Sequence, residues 1–378
     1  MAWGEVKTKL GDVPEVMDEA ILSCFSASYS EARQKFLQAC QERSLTVDSR
    51  LNPNAQGVGG EALYTDIVQI GSQNAAKVLL LMSATHGVEG YCGSGAQIAL
   101  LKHGYFDNLP DDLSVVLIHA MNPYGFSHDR RVTEDNVDLN RNFMDFERAD
   151  LPGKDYARIH EFVLPADWDG PEREYADTQL AEFIQEHGMQ AFQAAVSSGQ
   201  YQHPDGVFYG GSAPTWSNRM FKSVLSDYIS SKKIVGIMDF HTGLGPHGYG
   251  ELITVGSEAQ KTRAVNWYGD QVTDPEAGTS SSAPLDGMVS HGITETLTEA
   301  QITFITLEFG TYPIERVLNA VRADNWLYQR GAFDNDLAAN IKKDIKQTFY
   351  PDTDVWKMSV WSRSLEVFEM AVSGVLRS

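Results

Sequence analysis

A His86-Gly-Val-Glu89 segment directly follows the apolar run Lys77-Val-Leu-Leu-Leu-Met-Ser-Ala84. An imidazole and a carboxylate three residues apart, in a turn loosened by glycine, can aim both donors at one point. A second histidine, His241, ends another apolar run far downstream. Two imidazoles and one carboxylate make a zinc donor set of the kind used in hydrolytic sites, where three protein ligands leave a fourth position open. By itself the H-x-x-E spacing is weak, because ten histidines make one chance occurrence about an even bet. Its position just after the strongest strand signal strengthens it. The competing reading is a hydrogen-bonded turn histidine beside a solvated glutamate.

Glu308 ends a third apolar run, and a carboxylate there is costly unless paired or functional. Beside a metal-activated water it has the makings of a general base; a salt bridge to a nearby arginine is an equal alternative. Arg130-Arg131 and Asn140-Arg141 bring cationic forks into an acidic chain. Guanidinium pairs bidentately with carboxylates, which reads as recognition of an anionic substrate. Ordinary ion pairs with Glu134, Asp135 and Asp138 are the other reading. His247 with Glu251 could suggest a second metal, although plain loop residues fit those positions better.

These residues need a frame that gathers them. The continuous apolar runs are 77–84, 113–120, 232–239 and 301–307, with helical stretches between them at 95–103 and 313–330. Runs apolar throughout predict strands covered on both faces, and their alternation with helices predicts an α/β fold with a mixed, largely parallel central sheet flanked by helices. Ligands in such sheets bind beyond the carboxyl ends of the strands, where His86, Glu89, Asn122-Pro-Tyr-Gly125, His241 and Glu308 all fall. No repeat period is visible.

Residues 1–60 read as an N-terminal helical extension packed on the main domain. Ser28-Tyr-Ser-Glu31 has capping-box spacing, followed by Ala32, Phe36, Leu37 and Cys40 on one face, and 52–60 is a turn-rich break. Residues 61–378 are expected to form the main, site-bearing domain, with an insertion at about 144–215. That insertion carries one amphipathic helix around Asp177–Ala195 and the loop Tyr201-Gln-His-Pro-Asp-Gly-Val-Phe-Tyr-Gly-Gly211.

Thirty Lys plus Arg against 51 Asp plus Glu give a net charge of −21. A field of that sign repels phosphate backbones and anionic lipid, so neither nucleic acid nor membrane is an expected partner. No apolar run approaches the roughly 18 residues of a membrane span. The opening 20 residues mix both charge signs and lack the apolar core of a secretory signal. The three cysteines, Cys24, Cys40 and Cys92, form no C-x-x-C pair, which suits reduced thiols and a cytoplasmic location.

The ordered series H-x-x-E, N-P-x-G, Val137-Asp-Leu-Asn-Arg-Asn-Phe143, strand-end His241 and strand-end Glu308 resembles the zinc metallocarboxypeptidases of the carboxypeptidase A type. With the opening section and the Tyr209-Gly-Gly211 loop, the chain most resembles a bacterial branch known as a domain of unknown function. The resemblance implies a zinc carboxypeptidase-like (phosphorylase/hydrolase-like) fold and one zinc per chain, held by His86, Glu89 and His241. It implies Glu308 as proton-transfer residue and Arg131, or alternatively Arg130, as the group that polarises the scissile carbonyl. Asn140 and Arg141 would grip a terminal carboxylate, and Asp138 would orient the first zinc histidine.

The family's mobile tyrosine is missing from the window 281–292, which holds Asp286 and His291 instead. His291, Tyr209 or no residue takes its place. The phrase Asp239-Phe-His241 is also similar to deacylases that remove acyl groups from amino acids. The implied activity is therefore cleavage of an amide beside a free carboxylate, in a peptide or an N-acyl amino acid. A catalytically inactive carboxylate-binding module is the alternative of another class.

Overall fold

The computed structural model describes residues 18–148 and 150–378, so the expectation about a secretory signal lies outside the described residues apart from its last three positions. The described strands are β1 (Val47–Gln56), β2 (Ala62–Gly71), β3 (Lys77–Met82), β4 (Leu113–His119), β5 (Ile234–Gly243), β6 (Gly250–Ile253), β7 (Val272–Thr273) and β8 (Gln301–Gly310). They form one mixed sheet in the order β1-β2-β4-β3-β5-β8-β6-β7. The four apolar runs of the sequence are its parallel centre, β4-β3-β5-β8. Antiparallel pairs β1–β2, β2–β4 and β6–β8 flank it.

Alternation along the central strands sends side chains into two cores. Leu79, Leu81, Val115, Leu117, Met238 and Phe240 face one cluster, shared with helices 29–42, 90–102 and 354–377. Val78, Leu80, Met82, Val116, Ile118 and Ile237 face the other, closed by helices 216–224 and 289–296. Double coverage explains why these strands read as unbroken apolar runs.

The first 60 residues are not only helical. Helices Glu19–Leu22 and Tyr29–Glu42 are present, and Phe36 and Cys40 are buried in the main core. Residues 47–56, however, are strand β1, and the expected break at 52–60 starts only after Gln56. A register irregularity between Asn52 and Gln56 absorbs Pro53, and the Asn52 side chain accepts the Asn54 N–H at 3.0 Å. An edge strand tolerates proline in this way. The expected single helix at 177–195 is two, Pro171–His187 and Met189–Ser197. Gly188 between them sits at φ +88°, a left-handed geometry that ends a helix. Both helices join a third core cluster with Val317, Val321 and Phe349.

All three cysteines are free and buried. No helix among the described residues is long and apolar enough to cross a membrane.

Candidate active site

Chain direction at the ends of β3 and β4 is set by two unusual residues. Ala84 (φ 60°) and Ala120 (φ 69°) are both left-handed and fully buried. Such strain persists only where the surroundings impose it. The backbone of Ser83 and Ala84 accepts from Met121 and Asn122, so the two strand ends turn together. The turns then touch at two glycines: a Cβ on Gly87 would collide with the backbone of Gly125. That contact accounts for the glycine in H-x-x-E, while at Gly125 a Cβ would meet the Asn122 amide and the carbonyls of Arg130 and Val132. His86 therefore leads into a short 3-10 turn, Gly87–Glu89, whose glutamate faces the end of β5.

His86, Glu89 and His241 meet there, each buried, with one donor atom apiece within 4.8 Å of the other two. The two Nδ1 atoms are 3.2 Å apart. Glu89 Oε1 lies 3.0 Å from His86 Nδ1, and its Oε2 lies 3.0 Å from His241 Nδ1. The outer nitrogens are held by carboxylates: His86 Nε2 by Asp138 at 3.0 Å and His241 Nε2 by Asp239 at 2.8 Å. Thr85 steadies Asp239 in turn, donating at 2.8 Å.

Electrostatics follow from this packing. Burial raises the cost of charge on Glu89, but His86 and His241 outweigh it and hold its carboxyl below the usual range. Asp138 is likewise held well below its ordinary value, Arg131 and His86 overcoming burial. Burial opposes protonation of His241, yet Asp239 and Glu89 push it well above its ordinary value. Glu308 goes the other way: burial first, and then the Glu89 charge, push it up to about 8. Its Oε1 accepts the Leu244 N–H at 2.9 Å.

Arg131 lies beside the cluster. Nε donates to Asp138 at 2.9 Å and Nη1 to Glu89 at 2.9 Å. With His86 Nε2–H committed to Asp138, the 2.8 Å approach of Arg131 Nη2 to that nitrogen is a contact rather than a bond. Arg141 is 2% exposed; its Nε and Nη2 donate to the Ser197 carbonyl and its Nη1 to that of Asn140. Burial depresses its basicity. Asn140 accepts the Val289 N–H at 2.9 Å.

His86, Glu89, Arg131, Asn140, Arg141 and His241 line a cleft of about 770 Å³ that also includes Glu308, Asp286 and His291. Helices 171–187 and 189–197 supply Leu180, Ile184, Phe192 and Val196 to its wall.

Two expected substrate residues are elsewhere. Arg130 does not line the cleft; it donates to Asp324 and Asn136 at 2.9 and 3.0 Å and stacks 3.6 Å over Tyr328. Arg131 is thus the cleft arginine of the pair. Tyr209 is buried outside the cleft, and its contribution is a backbone carbonyl that accepts the Asp138 N–H at 2.8 Å. Its neighbour Phe208 lines the cleft instead, 5.2 Å from the Arg131 guanidinium and 5.7 Å from that of Arg141. Tyr209 was one candidate for the missing tyrosine, but the chain presents the side chain just before it, Phe208. Of the two residues offered for the missing tyrosine, His291 faces the cleft and Tyr209 does not. Asp239 had a readable signal, since a carboxylate two residues before a strand-end histidine shares its face. His247 and Glu251 are bonded separately, to the Thr311 carbonyl and to Thr273 with Ser281.

No curated protein matches the chain. In structure it is similar to the carboxypeptidase A from Helicoverpa armigera, with a TM-score of 0.42 and 14% identity, covering 89% of this chain and 73% of that one. A metallo-carboxypeptidase from Burkholderia cenocepacia gives 0.35 and 12%, covering 90% and 70%. An aspartoacylase family protein from Mesorhizobium loti gives 0.36 and 15%, covering 77% and 68%. Residues 25–363 match the family described as "Protein of unknown function (DUF2817)", and the chain belongs to that family.

Proposed function

We propose that this protein is a zinc-dependent hydrolase that cleaves an amide bond next to a free carboxylate, in a peptide or amino-acid conjugate. One observation carries the reading: two buried imidazoles turn their Nδ1 atoms toward each other, 3.2 Å apart, while each Nε2 is held by a carboxylate. A proton on either Nδ1 would satisfy that pair alone, but the Glu89 carboxylate reaches the same point. Two imidazoles and a carboxylate, each with its outer atoms braced, fit a zinc ion in donor type and number. His86, Glu89 and His241 would hold it. When bound, zinc supplies Lewis-acid polarisation of a carbonyl and makes water acidic enough to ionise near neutral pH.

The chain's own groups supply the rest. Glu308, poised near neutrality, takes a proton from the attacking water and delivers it to the leaving amine. Arg131 uses two of its five N–H groups on Asp138 and Glu89, and the others stabilise negative charge growing on the carbonyl oxygen. Arg141 and Asn140 orient the substrate carboxylate, and the apolar wall from the insertion accepts its side chain.

The test is metal content together with a screen of C-terminal peptides and N-acyl amino acids. Stoichiometric zinc with turnover of free-acid substrates is expected. Zinc without turnover of either class would leave a carboxylate-binding module as the better reading.

A further inference from the structure

A second donor cluster lies on the insertion. The short helix His160–Val163 presents His160 to the loop that carries His203 and Asp205. His160 Nε2 is 3.4 Å from Asp205 Oδ1, and the two imidazole rings stack with centroids 4.0 Å apart at 26°. One donor atom from each residue lies within 4.8 Å of the other two, and all three residues are half-buried. None of the three lines the cleft.

The backbone of the loop that carries His203 and Asp205 is already fixed. Asn136 Nδ2 donates to the carbonyls of Pro204 and Gly206 at 3.0 and 3.3 Å. Asn325 Nδ2 donates to the Asp205 carbonyl at 2.7 Å, and Gln200 Nε2 to the His203 carbonyl at 2.8 Å. The Val207 N–H donates to the Tyr156 hydroxyl at 3.0 Å. A loop fixed by these contacts gives up little backbone freedom when two of its side chains bind an ion.

We propose that His160, His203 and Asp205 form a second metal site, which takes zinc or a similar first-row divalent ion through two imidazole nitrogens and a carboxylate oxygen. The donor set is borderline in softness, so it favours such ions over calcium or magnesium, which take all-oxygen shells. Half-burial leaves room for water in the remaining positions and makes the ion exchangeable. The chain's charge of −21 concentrates cations around it.

The consequence reaches the cleft through the same loop. Three residues after Asp205, Phe208 sits beside the guanidinium groups of Arg131 and Arg141 with φ 52°. Tyr209 then holds the Asp138 N–H. An ion joining His160 to His203 and Asp205 ties this loop to the helix His160–Val163 and stiffens one wall of the cleft. The two clusters share no residue, so the inference does not rest on the catalytic reading.

The experiment uses tag-free, full-length protein, stripped with a chelator and titrated with Zn²⁺, with bound metal counted by elemental analysis. The native chain should take up two ions, His203→Asn one, and His241→Ala one. A further Tm rise on filling the second site should vanish in His203→Asn. A single ion, lost in His241→Ala and untouched in His203→Asn, overturns the second site. A single ion with the opposite pattern supports it and sinks the catalytic assignment instead. Should His203→Asn fail to fold, Asp205→Asn at the more exposed ligand decides: loss of one equivalent supports the site, and an unchanged count of two overturns it.

Discussion

His241 and Glu308 are register partners across the parallel strands β5 and β8. Two adjacent strands thus carry an imidazole and a carboxyl to the same end of the sheet, without a loop between them to blur the spacing. Sites built on strands are held more firmly than sites on loops. Glu308 is also the one cleft carboxyl pushed up to about 8, through burial and then the Glu89 charge. A group poised near neutral pH can both accept and return a proton.

Glu308→Gln is therefore expected to bind zinc normally and to lose about 10² to 10⁴ in kcat. Elemental analysis beside steady-state kinetics checks both halves. Near-native turnover would reduce Glu308 to a structural partner of the Leu244 N–H.

Asp239 acts through His241. In Asp239→Asn the side-chain oxygen can still accept from Thr85, but an amide N–H then opposes the proton on His241 Nε2. The ring loses its fixed tautomer, and zinc affinity should fall about 10- to 100-fold. Competition against a chelator of known affinity measures this. Unchanged affinity would mean that Asp239 does not orient the ligand.

The sheet centre was legible because strands buried on both faces must be apolar throughout, as Leu79 to Leu81 and Val115 to Ile118 are. Edge strand β1 was not, since Pro53 between two asparagines has the local chemistry of a turn and only pairing with β2 overrides it. The start of helix 90–102 was hidden by Gly90, Gly93 and Gly95. A Cβ at these positions would lie 2.7, 2.7 and 2.5 Å from Phe126, Phe240 and Phe25, so tight packing, not turn geometry, is the reason for glycine. The cluster of His86, Glu89 and His241 could be read from strand-end positions. Arg130 could not be separated from Arg131, because its partner Asp324 is distant in sequence. Phe208 was missed for a similar reason: nothing local to it announces two arginines from another segment.

His119, at the end of β4, gives a pH prediction independent of the cleft. Burial holds its ring down to about 4 against an ordinary value of 6.5; Ser94 meets Nε2 at 2.8 Å, and Phe36 stacks on it at 4.5 Å. The folded chain therefore binds this proton later than the unfolded chain. Stability is unaffected above about pH 6.5, falls as pH drops toward 4, and loses about 3 kcal/mol from this group in all. Urea unfolding at pH 7, 5.5 and 4.5 should show the loss, and His119→Gln should flatten it over that window. An equal slope in the variant would assign the acid sensitivity to other groups.

Arg141 supplies the sharpest test of substrate class. Three of its five N–H groups go to the carbonyls of Ser197 and Asn140, which fixes the plane of the guanidinium at the cleft wall. A carboxylate met by that fixed plane gains directional, charge-assisted hydrogen bonds. Lysine keeps the charge but has no planar fork, and it cannot hold Ser197 and a substrate in the same geometry. Arg141→Lys should lower kcat/KM for free-acid substrates by roughly 10- to 100-fold, in line with hydrogen bonds to charged groups. The same substrates capped as C-terminal amides should be poor even with the native protein, because they leave a buried guanidinium short of its partner. The ratio of free-acid to amide turnover should then shrink in the variant. Equal cleavage of both forms by the native chain would rule out recognition of a free carboxylate and leave a hydrolase of another specificity.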